Sequence, residues 1–585
     1  MPSRDLPRAA PPRLRRRVAG FVDALPAGLH PVLRRVYAAR GIAGPEDLSL
    51  ELRSLLPVST LDGIGPATEL LAGHVEGGSR ILVVGDFDAD GATSTALVLR
   101  QLARLGHANA AMRVPDRMRH GYGLTPALVA ELADERADLL ITVDNGVSAF
   151  AGVEAARALG IEVLVTDHHL PGATLPECAA HVNPNLPGAA FGSRALAGVG
   201  VAFYLMASLT RMLEQRRGQR LPAVADLLDL VALGTVADLV PLDRNNRILV
   251  QEGLRRARAR SATAGFMALA RVAGCRLDEL STRQLGHQIA PRLNAAGRID
   301  DMAVGIRCLL TDDPAEALAL AGELDRLNLE RRELEGRMRE EALAAVRNLR
   351  MAEGELPPGL TLFDGNWHAG VVGLVAARMK DRLHRPVVAF APATEDELRG
   401  SARSIAGLHV RDVLEAVASR HPGLIERFGG HAMAAGLSLK RVSLARFADA
   451  FADEVGRQLS PAQMQNVLET DGALAAHEIS LETALAIESG GPWGQAFPEP
   501  LFDGEFDIVE SRAVGDRHLK LWLRAAPATP PVEGIAFGYF DDAGTRRPAA
   551  GARLTLAYRL KSSSFGGTPH AELLVEHVAG AGDAS

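Results

Sequence analysis

The stretch that decides the fold is ILVVGDFDADG, residues 81–91, in which an apolar run passes through a glycine into three alternating aspartates. Residues Ile81–Val84 are β-branched or leucine, which predicts a short buried strand. The carboxylates of Asp86, Asp88 and Asp90 repel one another unless a cation lies among them. We therefore expect a metal site at the carboxyl end of a parallel strand, where open α/β sheets bind their ligands.

The calcium loop of an EF-hand also runs D-x-D-x-D-G and is the first alternative for this stretch. That loop requires a glutamate at its twelfth position, where this chain has Leu97. It also requires a helix before the loop, whereas the residues before Asp86 predict a strand. The pattern therefore favours a metal site on a sheet.

The order strand, turn, helix recurs from residue 81 to about residue 238. Further strands are predicted over residues 138–143 and 161–165, and residues 227–233 form an apolar segment compatible with a strand or a helix. This alternation predicts a mostly parallel sheet flanked by helices, with the ends of its strands on one edge. Side chains that bind cations follow these segments, namely Asp144, His168, His169 and Asp238.

The chemistry of these candidate ligands narrows the choice of metal. Carboxylates with imidazole and no thiolate suit Mn²⁺ or Mg²⁺ better than structural Zn²⁺, and there are enough of them for two ions. A single aspartate at the end of a strand is more often a helix cap or a turn former. That alternative weakens when four segment ends in one region carry such groups. Asp167 is expected to orient a liganding imidazole.

The rest of the chain is divided by changes in pattern. A charged segment with apolar residues at helical spacing predicts a long helix from about residue 314 to 350. A second α/β region follows, and short alternating segments beyond about residue 474 predict a small β-barrel. The expected domains are an N-terminal arm and lead-in over 1–54, a parallel-sheet catalytic domain over 55–313, a connecting helix over 314–353, a second α/β domain over 354–460, and a nucleic-acid-binding barrel over 461–585.

Composition limits the class of protein. The 585 residues are too many for one core, and 47% hydrophobic with 23% charged residues is ordinary for a globular protein. Three cysteines without metal-finger spacing indicate a reducing compartment. No apolar run is long enough to span a bilayer, so the cytoplasm is expected. The Arg- and Pro-rich residues 1–17 predict a disordered or solvated arm, with a targeting peptide as the alternative.

Four ordered motifs in this chain resemble those of the DHH phosphoesterase superfamily, and a later stretch resembles its DHHA1 partner domain. Together with several shorter stretches, they narrow the resemblance to the RecJ family of bacterial exonucleases, from about residue 55 to the last residue. The motifs are GDFDADG at 85–91, VDNG at 143–146, TDHH at 166–169, GTVAD at 234–238 and FGGHAMAAG at 428–436. The shorter stretches are GYGL at 121–124, APRLNAAGR at 290–298, WH at 367–368 and PWGQ at 492–495.

The resemblance implies two ions of Mn²⁺ or Mg²⁺, with Asp144 as the ligand common to both. His169 would act catalytically by contacting the scissile phosphate, supported by Asp167. Residues implied as ligands of one ion are Asp90, Asp144, His168 and Asp238, and those of the other are Asp88 and Asp144.

Two positions near the first motif qualify this ligand set. Asp86 is expected to lie behind the ions and to hold the turn or a bound water. Many members of the superfamily carry a histidine ligand two residues before this aspartate, where this chain has Val84. The ion on the Asp88 side is therefore expected to be held less firmly until substrate phosphate arrives.

The resemblance also suggests where DNA binds. Ser401 and Arg403, with hydroxyl, amide and guanidinium donors nearby, fit a terminal phosphate, although such stretches are individually more often ordinary turns. A channel between the two α/β regions is expected to admit a single strand, with Tyr122 and Arg117 stacking or wedging at its mouth unless Tyr122 packs in the core. The residues expected to contact DNA are Arg292, Asn294, Arg298, Ser401, Arg403, His431, Arg117 and Tyr122. On the barrel, His518, Lys520, Trp522 and Lys561 track the backbone or form a solvated strand face.

The function implied is 5′→3′ degradation of single-stranded DNA to 5′-mononucleotides in DNA repair and recombination. One alternative is a DHH enzyme acting on pyrophosphate or small nucleotides, and the other is a relative that binds single-stranded DNA without catalysis. The expected partners are single-stranded DNA, single-stranded-DNA-binding protein and a RecQ-type helicase. The protein is expected to be a monomer with no membrane association.

Overall fold

The computed structural model describes residues 11–18, 20–116, 119–353, 356–460, 462–540, 545–564 and 567–579, and the side chains of 349–353 lie outside this description. The chain divides into two compact units. The first comprises Gly44–Arg331 and Gly491–Glu499, and the second comprises Met1–Ala43, Arg332–Gly490 and Pro500–Ser585. None of the helices in the described part of the chain combines the length and apolar character that crossing a membrane requires.

The first unit is built on a five-stranded sheet in which every strand is parallel to its neighbours. From one edge to the other the strands are Ala110–Arg113, Ile81–Val84, Leu139–Val143, Glu162–Thr166 and Ala180–Val182. The chain therefore starts inside the sheet and continues outward on both sides of Ile81–Val84. Loops leaving the carboxyl ends of Ile81–Val84 and Leu139–Val143 diverge at this point, which is where such sheets bind ligands.

Helices cover this sheet because its strands are apolar on both faces. On one face Leu82, Val84, Leu140 and Val163 pack with Leu128 of a neighbouring helix. The α-helices of the unit are Ile64–Gly77, Ala89–Arg104, Pro126–Leu132, Phe150–Ala158, Gly198–Arg217, Leu228–Ala237, Arg244–Arg258, Ala264–Val272, Thr282–Gln284, Ala290–Ile299 and Ala303–Leu310. A π-helical turn, Leu285–Ile289, joins two of them. The apolar segment whose type the sequence left open is the helix Leu228–Ala237.

The second unit begins within the long helix Pro314–Glu353, since the boundary between the units falls at Arg332. Its α/β part is a five-stranded mixed sheet with the order Arg427–Gly430, Ala434–Lys440, Glu397–Arg403, Val387–Pro392 and Leu360–Phe363. Only the last two strands are parallel to each other. The helices Val372–Leu383, Val410–Arg420 and Leu444–Gln458 belong to this part.

The second unit also contains a closed barrel of five strands. In barrel order they are Phe502–Val514, His518–Arg524, Val532–Ala536, His570–Ala579 and Arg553–Ser563. The strand His518–Arg524 alternates as its sequence suggests, with Leu519, Leu521 and Leu523 inside the barrel. The fold class expected from the sequence, two α/β regions joined by a long helix and followed by an OB-like barrel, is confirmed.

The prediction of a disordered arm at the start of the chain is wrong for Arg13–Arg16. Arg13–Arg16 is a strand that pairs in parallel with Val467–Thr470. Carboxylates of the same unit neutralise it, as when Arg16 binds Asp503 at 2.6 Å. Residues 1–10 of the predicted arm lie outside the described residues.

The remaining elements are short. Two α-helices of the second unit are Pro31–Ala38 and Leu481–Ser489. The 3₁₀-helices are Val22–Ala24, Pro45–Leu48, Leu52–Ser54, Val58–Thr60, Ala133–Glu135, Val224–Leu227, Leu277–Glu279, Arg441–Ser443 and Ala476–Glu478. The segment Gly491–Glu499, which contains the PWGQ stretch, belongs to the first unit, where the carbonyl of Trp493 accepts a hydrogen bond from Thr282.

Candidate metal centre

The first motif forms a tight turn between the strand Ile81–Val84 and the helix Ala89–Arg104. Asp88 is the N-cap of that helix, since its Oδ1 accepts the N–H groups of Asp90 and Gly91 at 2.9 and 3.0 Å. Helix capping is the usual role of an isolated aspartate at such a position. The carboxylate of Asp88 also has an oxygen within 4.8 Å of ligand atoms of Asp86 and Asp144.

Asp90 is buried in the same turn, with 1% of its surface exposed. Its two oxygens accept N–H groups from the start of the helix Gly198–Arg217, at 2.6 Å from Gly198 and 2.9 Å from Val199. Burial, followed by the charge of Asp88, raises the pKa of Asp90 to about 7, against the opposing effect of these two amides. A nearby cation would relieve both effects.

Asp144 follows the strand Leu139–Val143 and has a left-handed backbone, with φ of 62°. Its backbone is held by a hydrogen bond from the hydroxyl of Tyr122 to its carbonyl, at 3.0 Å. Its Oδ1 is buried and accepts no hydrogen bond from the described residues, although Nε2 of His168 is 3.1 Å away. A strained backbone carrying a buried acceptor of this kind is typical of a functional site.

His168 lies at the middle of the acidic residues. Its Nε2 is 3.1 Å from Oδ1 of Asp144, 3.5 Å from Oδ2 of Asp238 and 4.0 Å from Oδ2 of Asp90. Three sets of side chains bring ligand atoms within 4.8 Å of one another: Asp90, His168 and Asp238; Asp144, His168 and His169; and Asp86, Asp88 and Asp144. Oxygen and imidazole donors at this spacing fit Mn²⁺ or Mg²⁺, and they suffice for two ions.

The structure gives Asp86 a more direct position than the sequence suggested. Its carboxylate lies with those of Asp88 and Asp144 in the third of these sets, with ligand atoms within 4.8 Å of one another. Val84 is fully buried at the end of its strand. Asp86 is therefore the candidate that supplies a third oxygen on the side where a histidine ligand is missing. The signal in the sequence for this role of Asp86 was the presence of three carboxylates within five residues.

Asp167 organises the third motif through its hydrogen bonds. Its Oδ1 accepts the backbone N–H groups of His168 and His169 at 2.7 and 3.0 Å, and Nδ1 of His169 lies 2.8 Å from the same oxygen. Burial opposes the charge of Asp167, but these bonds and the two imidazoles outweigh it and lower the pKa of Asp167 to about 2. Burial likewise opposes protonation of His169, yet Asp167 and the other carboxylates raise the pKa of His169 to about 9.

Tyr122 borders the same site. Its ring meets those of Phe87 and His169 edge-on, with centroids 6.0 and 5.9 Å apart, and about half of the residue is exposed. It is thus neither a core residue nor a distant surface residue. Arg117, predicted as its companion at the mouth of a channel, lies outside the described residues.

The APRLNAAGR stretch is the helix Ala290–Ile299, and it supports the first motif instead of projecting cations. Oδ1 of Asn294 accepts the N–H of Ala89 at 2.8 Å. A side chain at Gly297 would collide with the carbonyl of Phe87, so this helix lies directly against the aspartate turn. Arg292 pairs with Asp325 at 2.7 Å. In this structure Asn294 and Arg292 are engaged by Ala89 and Asp325, and Arg298 is half-buried on the same helix. Their contact with DNA stays a prediction.

The predicted phosphate receptor lies in the second unit. Ser401 and Arg403 are alternate residues of the strand Glu397–Arg403 and so face the same side. Nη1 of Arg403 donates to Oγ of Ser401 at 2.8 Å. A side chain at Gly373, in the first turn of the helix Val372–Leu383, would lie 2.9 Å from both Oγ of Ser401 and Nη2 of Arg403. His431 is exposed in the loop after the edge strand Arg427–Gly430.

On the barrel, Lys520 is committed to the protein itself. Its Nζ lies 2.6 Å from Glu572 and 2.7 Å from Glu533, and little of the side chain is exposed. Burial opposes its charge, but the two carboxylates raise the pKa of Lys520. His518 accepts the N–H of Gly538, and the guanidinium of Arg512 stacks over Trp522. Lys520 is therefore paired within the barrel, and its contact with a DNA backbone stays a prediction.

Comparison with known proteins identifies the family of three parts of the chain. Family models described as the DHH family N-terminal domain, the DHHA1 domain and the RecJ OB domain match residues 80–235, 357–458 and 470–577. The parallel sheet, its acidic centre and the second α/β region thus define a protein of the DHH class with a DHHA1 domain.

The relatives make the assignment more specific. Single-stranded-DNA-specific exonucleases RecJ from Dickeya dadantii and Escherichia coli are 48% and 47% identical over 575 residues, covering 97% of this chain and 99% of each relative. The crystal structure of RecJ in complex with Mn²⁺ from Thermus thermophilus superposes with a TM-score of 0.80 at 31% identity, covering 97% of this chain and 80% of that one. A structure of the same protein with Mg²⁺ gives 0.74 at 29% identity, covering 97% and 78%. The chain belongs to the RecJ family.

Proposed function

We propose that this protein is a metal-dependent exonuclease that degrades single-stranded DNA from its 5′ end and releases 5′-mononucleotides. The observation that carries the proposal is the acidic centre at the carboxyl edge of the parallel sheet, in a chain that matches RecJ exonucleases over nearly all of its length. Its place is DNA repair and recombination. The enzyme acts on phosphodiester bonds by hydrolysis.

Two ions of Mn²⁺ or Mg²⁺ serve the reaction, and RecJ from Thermus thermophilus has been crystallised in complex with each of these metals. When bound, such a pair neutralises charge on the phosphate and stabilises the attacking and leaving oxygens. Asp144 belongs to two of the three sets of candidate ligands, which supports a bridging role for it. We assign Asp90, His168, Asp238 and Asp144 to one ion, and Asp88, Asp144 and Asp86 to the other.

The residues around the ions position and charge the reacting phosphate. With Nδ1 of His169 held by Asp167, Nε2 is the ring nitrogen that we assign to the scissile phosphate. A cationic imidazole there stabilises negative charge that develops in the transition state. The ring of Tyr122 is edge-on to His169 and half-exposed. It is therefore suited to contact the nucleotide next to the cleaved bond.

The 5′-phosphate is assigned to Ser401 and Arg403, with His431 beside the same sheet. Three features support this: the guanidinium and hydroxyl face the same way, they contact each other, and the first turn of the helix Val372–Leu383 packs against both. Amides at the start of a helix and an arginine fork are both good receptors for a phosphate dianion. Recognition of a terminal phosphate accounts for the 5′→3′ direction.

Further assignments belong to the same proposal. The enzyme works as a monomer in the cytoplasm and cooperates with single-stranded-DNA-binding protein and a RecQ-type helicase. We assign residues 55–313 to catalysis, 354–460 to phosphate binding and 461–585, apart from Gly491–Glu499, to the region of the OB-like barrel. The matched family ranges lie inside these limits and support them.

One experiment tests the activity. The protein is incubated with Mn²⁺ and with 5′-labelled DNA, either single-stranded or fully duplex. Release of labelled 5′-mononucleotide from the single strand alone is the expected result. Cleavage only of pyrophosphate or dinucleotides would replace the proposal with the small-substrate alternative. Binding of single-stranded DNA without any cleavage would replace it with the non-catalytic alternative.

A further inference from the structure

The helix Gly198–Arg217 begins against the metal centre without a capping side chain of its own. Its N-cap is Ala197, which offers no side-chain acceptor to the first amides. The carboxylate of Asp90 takes that place from a distant part of the sequence, through the bonds to Gly198 and Val199. The partial positive charge at this end of the helix also favours a carboxylate there. Asp90 is thus oriented by backbone groups that cannot rotate away.

Gly198 touches a second carboxylate as well. A β-carbon on Gly198 would lie 2.6 Å from Cβ and 2.8 Å from Oδ1 of Asp144. Asp144 cannot retreat freely, because its own N–H bonds to the carbonyl of Thr166 at 3.1 Å and its carbonyl accepts the hydroxyl of Tyr122. The α-carbon of Gly198 therefore packs directly against Asp144, and the N–H of Gly198 donates to Asp90.

Gly234 of the fourth motif also packs against Asp90. A β-carbon there would lie 2.9 Å from Oδ1 of Asp90 and 2.8 Å from Cγ1 of Val199, and it would also collide with the hydroxyl of Thr93. No turn requires glycine at this position, which lies within the helix Leu228–Ala237. Glycine costs stability in a helix interior, so close approach is the physical reason for it.

We propose that Gly198 and Gly234 are positioning residues of the metal centre, which fix the carboxylates of Asp90 and Asp144 by close packing and, at Gly198, by its amide. The inference rests on the proposed function, because it concerns the affinity of the ions that this function uses. Neither glycine contacts substrate. Both act through the aspartates, and their effect is on metal binding before it is on catalysis.

The test is Mn²⁺ affinity, measured by electron paramagnetic resonance of the unbound ion, for wild type, Gly198→Ala and Gly234→Ala. Disturbing the groups that orient a ligand typically weakens metal binding about 10- to 100-fold, and we expect that range for Gly198→Ala, whose added β-carbon displaces Asp144, with a smaller loss for Gly234→Ala. Activity should recover towards wild type at high Mn²⁺, because the catalytic groups are all present.

Gly265→Ala is the matched control. Gly265 is also a buried helical glycine of the first unit, where a β-carbon would collide with the carbonyl of Cys308 and lie 2.9 Å from Cα of Leu309, two residues that are not candidate ligands. It should lower thermal stability and leave Mn²⁺ affinity within about twofold of wild type, since it leaves the ligand packing intact. Equal losses of affinity in Gly265→Ala and Gly198→Ala would reduce Gly198 to general packing and overturn the inference.

The remaining outcomes also test the positioning role of the two glycines. If Gly198→Ala does not fold, Gly234→Ala decides, because its near contacts are side-chain atoms that can shift. Wild-type affinity in whichever folded variants are obtained would refute the positioning role. If the wild-type chain itself binds no Mn²⁺ and cleaves no DNA, the proposed function fails instead.

Discussion

The carboxylate of Asp167 and the imidazole of His169 form a pair, with Oδ1 of the first 2.8 Å from Nδ1 of the second. The same carboxylate accepts the backbone N–H groups of His168, His169 and, through Oδ2, Val147. One buried charge thus fixes the third motif, the loop that follows the second motif and the protonation of His169.

Asp167→Asn should lower kcat by about 10²-fold, because His169 loses the charge that keeps it protonated. The pKa of His169, raised to about 9 mainly by Asp167 against the effect of burial, should fall towards its ordinary value. Activity that needs the cationic imidazole is lost as pH rises through that pKa, so the alkaline limb of the pH–rate profile should move to lower pH. An unmoved limb would show that protonated His169 is not required.

Asp144→Asn should abolish cleavage and leave binding of single-stranded DNA in EDTA largely unchanged, because the bridging charge is lost while the DNA-binding residues remain. Binding is measured by fluorescence anisotropy and cleavage by release of labelled nucleotide. Asp229→Asn is the control, since Asp229 is also a buried aspartate but binds Thr263 away from the centre. It should retain cleavage, and retention of cleavage by Asp144→Asn would remove the bridging assignment.

Mn²⁺ should stabilise the protein more at about pH 8 than at about pH 5.5. Burial and the charge of Asp88 raise the pKa of Asp90 from 3.8 to about 7, so in metal-free protein the native state holds a proton that the unfolded chain has lost. Stability of the metal-free protein therefore falls as pH rises across that interval. A cation removes this cost. The measurement is the change in Tm on adding Mn²⁺ to EDTA-treated protein, and an equal change at both pH values would contradict the prediction.

Arg40→Ala should lower the free energy of unfolding of the second unit by about 3 to 5 kcal/mol, the usual cost of leaving a buried charge without its partner. Arg40 and Asp471 form a two-pronged pair at 2.7 and 3.0 Å, and both side chains are only 2% exposed. Arg15→Ala is the control, because its pair with Glu469 is exposed and should contribute under about 1 kcal/mol. Denaturant unfolding separates the two, and similar losses would mean that burial of the Arg40 pair is unimportant.

Lys520→Met should destabilise the barrel without changing the salt dependence of DNA binding. Glu533 and Glu572 already neutralise this lysine, whereas losing a true phosphate contact reduces the salt slope by about 1. The pKa of Lys520 is raised by these carboxylates against the effect of burial, so its stabilisation is present below the ordinary lysine pKa and is lost as pH rises through the raised value. A reduced slope would restore Lys520 as a DNA contact.

Local patterns were sufficient to predict the elements that carry the centre. An apolar run followed by glycine and aspartates predicted Ile81–Val84 and the turn after it, and the same logic predicted the strands Leu139–Val143 and Glu162–Thr166. Because the carboxyl ends of parallel strands meet on one edge, the convergence of Asp90, Asp144 and His168 also followed from the sequence.

Local patterns failed where a side chain's partner lies far along the chain. Asn294 accepts the N–H of Ala89, and Arg292 pairs with Asp325, and no local pattern indicated either partner. The basic start of the chain looked solvated, but it pairs with residues more than 450 positions away, as Arg16 does with Asp503. Spacing along a sequence carries no information on which distant carboxylate or amide will be adjacent.

The sequence by itself determined the fold class, the edge of the sheet that bears the centre and the kind of metal that suits it, because strand composition, turn chemistry and ligand type are local properties. Only the tertiary structure decided that Asp86 joins Asp88, that Asp144 adopts a left-handed backbone, and that Asp90 caps the helix beginning at Gly198. Those relationships arise from close packing between segments, in which a carboxylate takes whatever donors and space the neighbouring backbone leaves to it.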